Sequence, residues 1–153
     1  MAFNIVLVEP EIPNNTGNIG RLALASGSKL HLVKPFGFEL NDSRVKRAGL
    51  DYWAHLDLHI YESLDEFFTQ NQNGSFAFLS SHGKRSYTEI PFQKDLFLVF
   101  GKESVGLPKE LLDQHSGQAY KIPLFSPHIR SINLANAVGV VAYEGIRALG
   151  IKE

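Results

Sequence analysis

The sequence predicts an α/β fold built on a mostly parallel sheet, and three observations predict it. Short β-branched or aromatic runs recur along the chain, as strands buried on both faces require. Helical patterns lie between most of these runs, and strands that alternate with helices become parallel neighbours. The length, 153 residues with 44% hydrophobic content, is enough for one core and too little for two independent ones. A single domain spanning 1–153 is therefore expected, without repeats, low-complexity tracts or linkers.

In chain order, the strands are Phe3–Val8, Leu30–Val33, Leu58–Tyr61, Phe76–Leu79, Leu96–Phe100 and Tyr120–Leu124. Gly17–Ser26 reads as a helix stopped by Gly27. Ser63, with Glu66 three residues later, forms a capping box that opens a helix through Phe67 and Phe68, and Pro108–Leu112 suggests another. The last helix, about Asn133–Leu149, carries Leu134, Val138, Val140, Val141, Ile146 and Leu149 among Ala135, Ala137, Gly139, Ala142 and Gly145. A helix apolar nearly all round is buried on more than one side, and small residues let a second backbone come close. Two readings of it stay open, a subunit interface and a central core helix in a monomer.

Composition limits the function classes. With 15 Lys+Arg against 16 Asp+Glu the formal net charge is -1, so any RNA contact rests on local patches and not on bulk charge. The absence of cysteine excludes a disulfide framework, thiol catalysis and thiolate metal sites, and the cytoplasm is the default compartment. The chain enters Phe3–Val8 without a basic leader, and no apolar run approaches the roughly 20 residues that span a bilayer, so neither secretion nor membrane insertion is expected.

Three loops follow strands at their carboxyl ends, where a parallel sheet gathers helix N-termini and free amides. The first runs from Glu9 to Arg21; its Asn, Thr and Gly residues suit a turn and helix cap, which leaves Arg21, one turn into the predicted helix, unexplained. The second, Phe100–Pro108, opens like a phosphate-binding loop, but Leu107-Pro108 replaces the Lys-Ser/Thr that would hold phosphate and magnesium. The third spans Ile122–Leu134, where Ser131 or Asn133 suits the cap of the final helix. Competing sites are weaker. His55 and His59 lack a third ligand, Ser80-Ser81-His82 lacks a nucleophile elbow, and no dinucleotide fingerprint follows the first strand. Arg44, Lys46 and Arg47 form a basic cluster that reads either as a solvated helix face or as a phosphate contact.

Together, the three loops resemble the three motifs of the SPOUT methyltransferases, and nearly the whole chain is similar to the small tRNA (cytidine/uridine(34)-2'-O)-methyltransferases. Glu9-Pro10-Glu11-Ile12-Pro13-Asn14 with Thr16-Gly17-Asn18 and Arg21 matches the first motif; Phe100-Gly101 with Glu103 and Gly106-Leu107-Pro108 the second; Arg130-Ser131 with Asn133-Leu134 and Asn136-Ala137-Val138 the third. Val105 stands where some relatives carry a basic residue, the His128-Ile129 stretch is one residue longer than a common form, and Lys102 is not a hallmark. The resemblance implies a trefoil knot in the last third of the chain and a homodimer with its active site at the interface. It implies an S-adenosylmethionine pocket lined by Leu79, Gly101, Ile122, Leu124 and Ser131, supported by Glu103 and Asn133, with no metal. Gly101, lacking a Cβ, is expected to let the strand end approach the adenosine. The implied substrate is the wobble nucleotide of the tRNA anticodon loop, methylated on its ribose.

The resemblance also assigns Arg21, from the partner subunit, to the 2'-hydroxyl. A guanidinium is a poor base, so orientation and charge stabilisation are the expected role. Tyr143 is expected either to hold the nucleotide or to be an interface aromatic. Methylation of ribosomal RNA and a catalytically silent RNA-binding module are the alternatives.

Overall fold

A computed structural model describes residues 2–153, apart from the side chains of residues 49–51. Seven strands, β1 (Phe3–Val8), β2 (Lys29–Val33), β3 (Leu58–Tyr61), β4 (Phe76–Leu79), β5 (Arg85–Ser86), β6 (Leu96–Phe100) and β7 (Ala119–Lys121), form one sheet. Their order is β3-β2-β1-β6-β4-β7-β5, and every neighbouring pair is parallel. The helices are α1 (Pro13–Ala25), α2 (Ser43–Gly49), α3 (Leu64–Gln70), α4 (Lys109–Gln114) and α5 (Leu134–Leu149), with 3-10 helices at Leu50–His55, Tyr87–Glu89 and Ser116–Gln118. Among the described residues no helix is long and apolar enough to cross a membrane.

β1 and β6 are buried along their whole length, because helices cover both faces of the sheet. On one face Phe3, Ile5, Leu7, Leu30, Leu32 and Leu98 pack with Ile19 and Ala23 of α1 and Val138 and Val141 of α5. On the other, Val6, Val8, Val33, Phe78 and Val99 pack with Phe67 of α3 and Leu111 of α4. Each such side chain contributes about 1.5–3 kcal/mol by leaving water. From β1 the chain first builds outward to β2 and β3, and then returns to the other side of β1. The order reverses between β1 and β6, and open sheets of this kind bind ligands at the carboxyl ends beside that reversal.

Three local features differ from expectation. α1 begins at Pro13, not Gly17, because proline at the first helical position has no amide to leave unpaired. Asn14, Asn15 and Thr16 are therefore inside the helix, the cap residue Ile12 offers no side-chain bond, and Arg21 lies more than two turns in instead of one. β7 stops at Lys121, not Leu124: its register ends at Ser86↔Lys121, and Pro123 has no amide for a ladder. Ile122 and Leu124 thus lie on irregular chain. In the expected capping box, Ser63 Oγ does accept from the Glu66 amide (3.1 Å), but the Glu66 carboxylate takes the amide of Glu62 and not that of Ser63.

α5 buries only one face within the chain, Val138, Val141, Ala142 and Gly145, so it is not enclosed all round. A Cβ on Gly145 would lie 2.5 Å from the Phe3 ring and 2.7 Å from the Phe92 ring, so only glycine permits this approach to β1. Val140 and Tyr143 are left 39% and 46% exposed. A polar network is buried around His31. His31 Nδ1 lies 2.9 Å from the Tyr61 hydroxyl and Nε2 lies 2.9 Å from Asn4 Oδ1, while the Asn4 amide donates to the Asp95 carbonyl (2.9 Å). With Asn4 Oδ1 an acceptor, the proton sits on Nε2 and the Tyr61 hydroxyl donates to Nδ1. Burial, helped by the charges of His59 and Lys29, pushes the His31 pKa down to about 3, and its ring is neutral.

Candidate functional site

The loops after β1, β6 and β7 converge at the reversal point, and side chains tie them together. α1 begins without a cap of its own, so the amides leading into it need acceptors from elsewhere. Glu103, from the loop after β6, supplies them: Oε1 accepts from the Glu11 amide at 2.8 Å and Oε2 from the Ile12 amide at 2.9 Å. A carboxylate there also meets the positive end of the helix dipole. The exchange is reciprocal. Glu11 Oε1 accepts from the Ser104 amide at 2.8 Å, and the bond from Ser104, with Lys102 nearby, holds the Glu11 carboxyl below its ordinary pKa. Lys102 Nζ completes the contact with Glu9, 3.3 Å away.

Asn15 joins the third loop to this pair. Its buried side chain donates to Glu103 Oε2 (3.2 Å) and accepts from Asn133 Nδ2 (3.1 Å), while Asn133 Oδ1 caps α5 by accepting from the Asn136 amide (3.2 Å). Glu103, Asn15 and Asn133 thus form one chain of hydrogen bonds through all three loops. Asn15 is the residue that sequence reasoning missed as an individual. It stood in a predicted capping loop, and only the earlier helix start turns it toward its partners.

Gly101 is also required by the loop that follows it. A Cβ there would lie 2.1 Å from the Gly106 carbonyl carbon and 2.2 Å from the Leu107 nitrogen. The loop folds back on its own strand, closed by Gly106 N–H to the Lys102 carbonyl (2.9 Å) with Gly106 at φ +73°. The close approach is therefore that of the loop itself.

The other expected pocket residues fall in two groups. Leu79 ends β4 level with Phe100 of β6 and Tyr120 of β7, and Ile122 lies just beyond β7 against the first core, so these stand together with Gly101. Leu124 and Ser131 are exposed on the irregular segment 122–133, as are Phe125 (96%) and Ile129 (51%). Along this segment the backbone–backbone bonds outside the sheet among the described residues are Ile129 N–H to the Ser126 carbonyl and, at its end, Ala137 N–H to the Asn133 carbonyl, so most of its peptide groups are open to a ligand. Apolar Leu79, Ile122 and Leu124 beside unpaired peptide groups suit a purine face and edge.

Arg21 and Tyr143 stand apart from this junction. Arg21 is exposed on α1, with its guanidinium 5.3 Å from the centroid of the Tyr52 ring, and Tyr143 is exposed on α5. The basic cluster is reduced by an internal pair, since Asp42 takes Arg44 at 2.9 and 3.1 Å, leaving Lys46 and Arg47 exposed. His59 lies 2.8 Å from Asp57, and no group of three metal-ligating residues occurs among the described residues. His82 N–H donates to Ser80 Oγ, a local turn. Two surface clefts of about 500 Å³ lie elsewhere, one around Phe36, Phe38 and Ile60 and one around His31, His59 and Asn71.

Residues 2–143 match the model of the SpoU rRNA Methylase family. A relative from Saccharophagus degradans, a tRNA (cytidine(34)-2'-O)-methyltransferase, is 44% identical over 149 residues, covering 97% of this chain and 96% of that one. A solved structure concerned with the 2-OH methylation of C/U34 on tRNA superposes with a TM-score of 0.91 at 46% identity, over 97% of this chain and 96% of that one. An AdoMet-bound rRNA methyltransferase from Sinorhizobium meliloti superposes with a TM-score of 0.85 at 25% identity, over 97% of this chain and 57% of that one.

Proposed function

Since the chain belongs to the SpoU rRNA methylase family, we propose that it transfers a methyl group from S-adenosylmethionine to the ribose 2'-oxygen of the wobble nucleotide, cytidine or uridine 34, of tRNA. The observation that carries this reading is the junction of three loops through Glu103, Asn15 and Asn133, in a chain that matches C34-methylating relatives over nearly its whole length. The pocket is proposed at Leu79, Gly101, Ile122, Leu124 and Ser131, with Glu103 and Asn133 holding the loops that form it. S-adenosylmethionine supplies a methyl group already activated by its sulfonium. The protein's own work is to align the 2'-oxygen and to manage its proton.

In this reading, Arg21 orients the 2'-hydroxyl and stabilises the charge that develops on it, and it is contributed by a second copy of the chain. Its position supports this. Arg21 lies eight residues beyond Pro13, about 12 Å along α1 from the end where the loops meet. Tyr143 is proposed to hold the nucleotide from α5. The exposed Val140 and Tyr143, with Phe125 and Ile129, support a homodimer that covers them. We also read residues 1–153 as one domain working in the cytoplasm, where tRNA is its substrate, with a trefoil knot in the last third. The knot is supported by the likeness to family structures and by β7 lying between β4 and β5.

Incubation with labelled S-adenosylmethionine and total RNA, followed by separation of tRNA from ribosomal RNA and nucleoside mapping, tests the function. Label at the 2'-oxygen of nucleotide 34 is expected. Label on ribosomal RNA alone, or binding of RNA without transfer, would overturn it in favour of a ribosomal enzyme or a silent binding module.

A further inference from the structure

We infer that Tyr52 is a positioning residue for Arg21, holding its guanidinium by the ring face so that the whole N–H fork stays open to the ribose. This rests on the reading of Arg21 given above. The arrangement begins one residue earlier. A Cβ on Gly20 would lie 2.4 Å from Trp53 Cζ3, 2.8 Å from Trp53 Cε3 and 3.2 Å from Leu56 Cδ2, so α1 admits the Trp53 ring only because residue 20 is glycine. Trp53 and Leu56 pack onto the first core, which fixes the 3-10 helix Leu50–His55 against α1. That docking brings the Tyr52 ring, 43% exposed, to the side chain that follows Gly20, with the Arg21 guanidinium carbon 5.3 Å from its centroid.

The nature of the contact matters. Arg44 and Arg147 are held by carboxylates, Asp42 and Glu144, which occupy the donor edge and neutralise the charge. Arg21 has no carboxylate partner among the described residues, and an aromatic face engages only the plane of a guanidinium. The five donors and the full charge remain for a substrate oxygen. A ring is therefore the holder that restrains Arg21 without consuming the groups its task needs.

The test compares Tyr52→Phe, Tyr52→Leu, Tyr52→Gln, Arg21→Ala and the double variant Arg21→Ala/Tyr52→Leu. Single-turnover methylation of tRNA should fall about tenfold in the Leu and Gln variants, less than the roughly hundredfold that a full 1 Å misplacement can cost, with cofactor affinity unchanged. Tyr52→Phe should keep the parental rate, and the double variant should be no slower than Arg21→Ala alone. Without cofactor or RNA, the Arg21 side-chain protons should show an upfield ring-current shift in NMR spectra of the parent that is lost in Tyr52→Leu. Parental rates in both the Leu and Gln variants, a further tenfold loss in the double variant, or no ring-current shift in the parent would overturn the proposal. A parental rate in Arg21→Ala would instead sink the assignment of Arg21 itself, and this proposal with it.

Discussion

At the scale of single residues, the proposed reading gives the holding of the site and its chemistry to different side chains. Arg21 touches none of the loop junction, so Arg21→Ala should leave cofactor affinity and the oligomeric state near normal while methyl transfer falls at least about a hundredfold. Single-turnover kinetics beside calorimetry checks both halves. Glu103 is the opposite case. Glu103→Ala removes the acceptor of two loop amides and of the Asn15 side chain, and should cost about 1–3 kcal/mol in urea unfolding and weaken cofactor binding. Sequence motifs marked Glu103 and Asn133 but hid what they bind. Glu103 accepts from a residue 91 positions away and Asn133 donates to one 118 away, and no local spacing encodes such pairs.

Among elements, the strands were legible because each is a dense apolar run, and four of the six expected strands match the observed ones at both ends. The start of α1 was not, since Asn14, Asn15 and Thr16 look like caps, whereas the cap comes from Glu103 across the sheet. β5, two residues long, carries no hydrophobic pattern to read. The loop after β6 was legible as a glycine-rich turn, yet the close approach of Gly101 to Gly106 and Leu107 was not. Gly101→Val should therefore disorder the loop and not merely obstruct a ligand. Cofactor binding should be lost and the melting temperature should fall as well, whereas loss of binding at an unchanged melting temperature would point back to a purely steric role. Gly145→Ala tests the seating of α5 on β1 in the same way. Its methyl would meet the Phe3 and Phe92 rings, and a loss of about 1–3 kcal/mol is expected in denaturant titration.

For the whole molecule, two responses follow. Val140→Glu, on the exposed side of α5, should leave the fold intact but shift sedimentation from dimer to monomer and abolish transfer; a parent that stays monomeric at micromolar concentration would end the shared-site reading. Acid should weaken the fold through His31. Its folded pKa lies below the ordinary 6.5, so the unfolded chain takes up the proton first. Stability from this source is complete above about pH 6.5 and declines as the pH falls toward 3, by about 2 kcal/mol at pH 5. Urea titrations at pH 7 and 5 measure the slope, which His31→Gln should flatten. The Glu103–Asn15–Asn133 chain has a kinetic consequence as well. Its members come from the first, middle and last parts of the polypeptide, so closing it requires loops of 88 and 118 residues and must come late in folding. The amides of Glu11, Ile12 and Ser104 should then be among the last to gain protection in pulsed hydrogen exchange, and until the final helix arrives a nascent chain has its sheet but no place to bind.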